Sequence, residues 1–147
     1  MSTMTSVRHI AAPTERVFST VADIANFSKA VPHIVRVDFL SEQRVGVGTR
    51  FRETRLMNGR EASTELEVTE YIEGERIRLV SDSQGTVWDS VFTVVPRAEG
   101  CELTLVMEAR PYKLLAKLTT PLLKGFIAKA LEKDMDAVKA WCEARRA

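Results

Sequence analysis

Cysteine is scarce in this sequence. The 147 residues hold two, Cys101 and Cys142, with neither CxxC spacing nor a histidine cluster beside them. That excludes a disulfide scaffold and argues against a structural zinc site. Two free thiols in a reduced, cytoplasmic setting are the expectation. Excess charge is absent as well. Twenty-one basic residues face 20 acidic ones, for a formal net charge of +1. A chain without a basic field has no electrostatic means of gathering nucleic acid. No apolar run reaches the ~18 residues of a membrane-spanning helix, and "MSTMTSVRHI" lacks the apolar core of a secretory signal. Neither stable membrane insertion nor nucleic acid is therefore expected. The two histidines, His9 and His33, come without a third clear ligand. No metal and no cofactor are expected.

What is present reads as one soluble domain over residues 1–147, with 45% hydrophobic and 28% charged residues. Residues 3–11 alternate weakly and read as a first strand. In "AAPTERVFSTVADIANFSKAVP", Pro13 suits a first helical turn and Val17, Phe18, Val21 and Ile24 follow at helical spacing. This predicts one short helix, or two broken near Asn26, ended by Pro32. From residue 33 to about 111 the period becomes two. Val35, Val37 and Phe39 fall on one face, and Asn58-Gly59 between alternating runs is a strong hairpin signal. Ala62, Thr64, Leu66 and Val68 oppose Glu61, Glu65 and Glu67, and Ile77 and Leu79 oppose Arg76 and Arg78. Six consecutive antiparallel strands result.

The chain closes on roughly 30 residues of helical pattern. Leu115, Leu118, Leu122 and Phe126 share a face, which then drifts to Leu123, Ile127, Ala130, Leu131, Val138 and Trp141. Pro121 and Gly125 sit where it drifts, so a kink or break is expected there. Asp134 projects near the middle of the apolar stripe. Only this helix is large enough to cover the apolar side of the sheet. The fold expected is α+β: a seven-stranded curved antiparallel sheet gripping a long C-terminal helix, with one or two short helices between strands 1 and 2.

Four segments carry a resemblance. "APTERVFSTVADIANFSKAVPHIVRVDFL", "GVGTRFRE", "ELEVTEYIEGERIRLVS" and "VFTVVPRAEGCELTL", in that order, resemble the polyketide cyclase/dehydrase and lipid-transport family of the START-related SRPBCC superfamily, the helix-grip fold. The similarity runs over about residues 5–143. It implies a hydrophobic cavity under the C-terminal helix that takes a lipid, polyketide or isoprenoid-like molecule. It brings no universal catalytic residue, since some relatives close rings or dehydrate and others only carry a ligand. The family's Gly-Thr turn before the last strand is Gly100-Cys101 here.

The residues permit candidate sites. "GVGTRFRE" lacks the third glycine of a dinucleotide loop and the Gly-Lys-Ser/Thr of a P-loop, so Gly46 and Gly48 read as a turn into a strand. On that strand Phe51, Glu53, Arg55 and Met57 share one face. A carboxylate and a guanidinium two residues apart can pair or orient a polar ligand group. In "TVWDSVF", Trp88, Ser90 and Phe92 lie on one face and Val87, Asp89 and Val91 on the other, and the pattern leaves open which turns inward. An inward Asp89 with a raised pKa would suit proton transfer. Glu53, Asp89 and His33 are the candidate catalytic groups for a cyclase or dehydratase. Phe51, Glu53, Arg55, Leu66, Trp88, Met107, Leu118, Leu122 and Phe126 are the expected ligand-binding residues. The lysine-studded apolar stretch "KLLAKLTTPLLKGF" is compatible with cavity roof, core or an interfacial helix, and a homodimer through the sheet edge or long helix is a further partner reading.

Overall fold

In a computed structural model, which describes residues 2–144, the chain forms β1 (Ser2–Ile10), α1 (Thr14–Ala22), α2 (Ile24–Ala30), β2 (Ile34–Phe39), β3 (Arg50–Met57), β4 (Arg60–Ile72), β5 (Arg76–Ser83), β6 (Thr86–Arg97), β7 (Gly100–Pro111) and α3 (Leu114–Ala144). The seven strands make one antiparallel sheet in the order β1-β7-β6-β5-β4-β3-β2. Every neighbouring pair in it is consecutive along the chain except β1 and β7. The helical pair α1–α2 carries the chain from one edge of the sheet to the other.

Local chemistry explains the joints. Val17, Phe18 and Val21 are buried at helical spacing. The helix stops at Asp23, three residues before the expected break at Asn26, because the Asp23 carboxylate accepts the Asn26 N–H at 3.1 Å and caps α2. Asn58 (φ 53°) and Gly59 (φ 78°) form the two-residue turn between β3 and β4, both in the left-handed region that such a turn requires. The glycine loop before β3 is a turn held from within. Gly46 and Gly48 have φ of 87° and 96°. The Gln43 side-chain amide donates to the Val45 and Val47 carbonyls at 2.8 and 2.7 Å, and the Gly48 N–H donates to Val68 O at 2.9 Å.

Two irregularities bend the sheet, one between Ile34 and Arg36 and one between Val68 and Glu70. The first corrects an expectation. Val35 is not on the core face with Val37 and Phe39; it is exposed, and Ile34 is buried instead, because the bulge shifts the alternation by one residue.

Helix α3 crosses the concave face. Leu131, Met135, Val138 and Cys142 in its second half are buried, each apolar side chain contributing roughly 1.5–3 kcal/mol when fully removed from water. Arg8 of β1 ties down the same half, donating to Glu132 at 2.9 Å and Asp136 at 2.8 Å. The helix is not broken at Pro121. It runs unbroken from Leu114 to Ala144 with Pro121 inside it. The missing N–H leaves a carbonyl on an exposed side of the helix, where water can serve it, and the neighbouring Thr120 hydroxyl is anchored to that of Thr86 at 3.0 Å.

Candidate ligand cavity

Between the concave face and α3 lies a cavity of about 330 Å³. Most of its wall is apolar, from Ile24 and Phe27 of α2, Phe51 and Leu66 of the β3–β4 arm, and Leu105 and Met107 of β7. Phe27 and Phe92 meet edge to face at 5.7 Å between ring centres, which fixes one wall. The volume falls at the small end of the ~300–1,000 Å³ typical of ligand pockets.

Polar groups interrupt the wall at one place in force. Arg55 of β3 donates from Nε to Glu53 Oε1 at 2.5 Å, and forks onto Asp134 of α3 at 2.9 and 2.7 Å. The two carboxylates and one guanidinium make a part-buried cluster of formal charge −1, bridging sheet to helix. Burial opposes the charge on Arg55, but Glu53 first and then Asp134 outweigh it, so the guanidinium is held above its ordinary range. The remaining polar atoms belong to hydroxyls, among them Thr64, Ser81 and Ser90. The Ser81 hydroxyl is buried and has no hydrogen-bond partner, a condition that costs about 1–3 kcal/mol unless something satisfies it.

Of the expected ligand-binding residues, Phe51, Glu53, Arg55, Leu66, Trp88 and Met107 line this cavity. Phe126 lines an adjoining recess of about 280 Å³ together with His33, and Arg55, Met57, Ala130 and Asp134 border both spaces. Leu118 and Leu122 are not roof. They are 64% and 82% exposed, because in this half of α3 the opposite side, carrying Ala116 and Thr120, is the one buried against the protein. His33 is exposed at the recess and does not reach the main cavity.

Asp89 is on the other side of the sheet. Trp88 and Ser90 take the cavity face of β6, so Asp89 must point outward. There Arg78 donates to both its oxygens, at 2.8 Å from Nε, and Arg110 adds a contact at 3.1 Å. Hydrogen bonding from Arg78, then from Arg110, outweighs burial and holds the carboxyl below its ordinary range, the opposite of the raised value an inward acid would need. Nor does Cys101 offer an activated thiol: burial pushes it up to about 11.

Ser81 and Ser90 were not among the expected site residues. The signal was there, since Leu79, Ser81 and Ser83 alternate on one face and Ser90 shares that of Trp88.

A curved seven-stranded antiparallel sheet, short helices after its first strand and a long helix across its concave face define the helix-grip class. The same architecture occurs in TTHA0849 from Thermus thermophilus (TM-score 0.80, 17% identity, 99% of this chain and 100% of that one). It occurs too in a START superfamily protein from Mycobacterium smegmatis (0.79, 17%, 98% and 99%), and in the di-domain ARO/CYC StfQ from the steffimycin biosynthetic pathway (0.80, 16%, 97% and 51%). At such identities the likeness is one of fold. No curated protein matches the sequence. The sequence itself matches the family model for polyketide cyclase/dehydrase and lipid transport over residues 1–143, and the chain belongs to that family.

Proposed function

We propose that this protein binds a hydrophobic small molecule, of lipid, polyketide or isoprenoid-like character, carrying a polar group. The observation that supports this is the 330 Å³ apolar cavity holding a charged cluster and an unpartnered Ser81 hydroxyl. An apolar ligand body would occupy the wall from Phe27 to Met107. A carbonyl or hydroxyl on it would meet Ser81 or the Glu53–Arg55 pair. Two buried cysteines that form no disulfide favour the cytoplasm as its compartment.

Organic extraction of the purified protein followed by mass spectrometry tests the reading, together with titration by a fluorescent apolar probe. Ser90→Phe fills the cavity from its floor. The expected result is probe binding by the native protein and its loss in a Ser90→Phe variant that keeps the native circular dichroism. Equal binding by both overturns the proposal.

A second reading is a cyclase or dehydratase acting on a polyketide-like substrate in the same cavity, favoured by the presence of two carboxylates there. Of Glu53, Asp89 and His33, only Glu53 lines the cavity. Asp134 would have to be its partner in proton transfer. Turnover of a linear β-polyketone that Glu53→Gln abolishes would support this reading; binding without turnover returns the protein to the first.

A further inference from the structure

The first half of α3 is apolar where the fold has no use for it. Leu114, Leu115, Leu118, Leu122 and Phe126 are all exposed. At 3.6 residues per turn they fall within an arc of about 120° on one side of the helix. The second half of α3 spends its apolar side on the core through Leu131, Met135 and Val138. The leucines before it face outward with none of the described residues over them, a contiguous patch that soluble proteins seldom leave bare.

The charge around the patch is of one sign. From residue 112 to residue 131 there are four lysines, Lys113, Lys117, Lys124 and Lys129, and no aspartate or glutamate, although the chain as a whole is almost neutral. Lys117 and Lys124 lie together along one edge of the leucine arc, about 60–80° around the helix from Leu114, and Lys129 follows the arc along the helix. The patch also joins the cavity. Phe126, at its end, lines the recess with His33, and Ala130 and Asp134 border both the recess and the main cavity.

We propose that residues 113–129 form an interfacial helix that docks this protein on an anionic lipid surface. The leucines sink to the boundary between headgroups and acyl chains, and the lysines meet the lipid phosphates. No described helix is long and apolar enough to cross a bilayer, so the helix lies in the surface. A second copy of the chain fits the patch less well. A two-fold pairing would set the lysines of one copy against the same lysines of the other, whereas an anionic surface complements both the leucines and the charge. Docking in this pose turns the recess toward the lipid. On the ligand-binding reading above, a hydrophobic molecule then passes between bilayer and cavity without crossing open water.

Co-sedimentation with vesicles tests the docking, using phosphatidylcholine alone and phosphatidylcholine mixed with phosphatidylglycerol, at about 0.1 M salt where the Debye length is ~10 Å. The native protein is expected to pellet with the mixed vesicles and much less with the neutral ones. Leu118→Glu/Leu122→Glu is expected to abolish binding to both. Lys117→Glu/Lys124→Glu is expected to lose at least about tenfold in binding to the mixed vesicles only. All four positions are exposed, so both double variants should keep the native melting temperature. Absence of binding by the native protein overturns the proposal, as does binding that neither double variant weakens. So does light scattering that shows a dimer which Leu118→Glu/Leu122→Glu converts to monomer. The Ser90→Phe variant separates the two readings: vesicle binding that survives the loss of probe binding leaves docking standing, and probe binding without vesicle binding leaves only the cavity.

Discussion

The two faces of the sheet carry charge clusters that are inverses of each other. Under α3, one guanidinium is shared by two carboxylates, Glu53–Arg55–Asp134. On the outer face, one carboxylate is shared by two guanidiniums, Arg78–Asp89–Arg110. The most buried carboxylate of each cluster differs in what covers it. Side-chain exposure is 8% for both Asp134 and Asp89, but 21% for Arg55 and 39% for Arg78. Asp134 is covered by the protein, Asp89 by arginines that themselves reach water. The same ion-pair chemistry is thus expected to be structural and costly to break on one face, and nearly free to break on the other. The inner cluster also borders the cavity, so it alone links stability to whatever occupies that space.

The widest break in the comparison comes from Arg55→Ala. It leaves Glu53 and Asp134 facing each other without a counter-ion, and a loss of about 3–5 kcal/mol in urea unfolding is expected. The loss should shrink as the pH is lowered and the stranded carboxylates take up protons; a loss that is independent of pH would show that the charges are not what the variant exposes. Asp134→Asn is expected to cost less, about 1–3 kcal/mol, because Glu53 still neutralises Arg55. On the outer face, Asp89→Asn should cost about 1 kcal/mol or below at neutral pH, since both arginines turn to solvent. Its signature lies in acid. The native Asp89 carboxyl is held below its ordinary value of 3.8, so its contribution is present above that pH and fades as the pH falls through the lower folded value. Urea midpoints measured from pH 6 down to ~3 should therefore converge for native and Asp89→Asn proteins. Smallest of all is the effect of salt. At about 1 M, where the Debye length is ~3 Å, the small cost of Asp89→Asn should vanish while that of Arg55→Ala persists.

The sequence made the inner face legible up to a point. Period two put Phe51, Glu53 and Arg55 on one side, and that side lines the cavity. The ion pair to Asp134 was hinted at by a carboxylate on an apolar helical stripe, but its partner lies 79 positions away, beyond any spacing rule. The outer cluster was illegible in a different way. Alternation in β6 offers Trp88 or Asp89 to the core with equal geometry. What decides is pairing: Asp89 stands beside Val80 and Glu108, with Arg78 and Arg110 each two residues along the same outer face. The leucines of α3 show a third kind of limit. Helical periodicity says which residues share a face, and it says nothing about whether anything is there to cover it. Leu118 and Leu122 therefore read as roof, but α3 turns Ala116 and Thr120 inward there and leaves the leucines bare.

The pairing of β1 with β7 has a consequence for the order in which the chain is made. Ile10 pairs with Cys101 and Ser2 with Ala109, so the first strand emerges from the ribosome some 90–110 residues ahead of its only sheet partner. At ~5–20 residues per second that is a wait of roughly 5–20 s. During it, Met4 and Ile10 are exposed on a strand with both hydrogen-bonding edges open, and α3, which later seals them, does not yet exist. Folding is therefore a late, post-translational event of high contact order. The surplus of polar residues in β1, with the Arg8 charge on the same face as Met4 and Ile10 and unpaired until Glu132 and Asp136 arrive, keeps the waiting strand soluble and guards it against pairing with a neighbouring nascent chain.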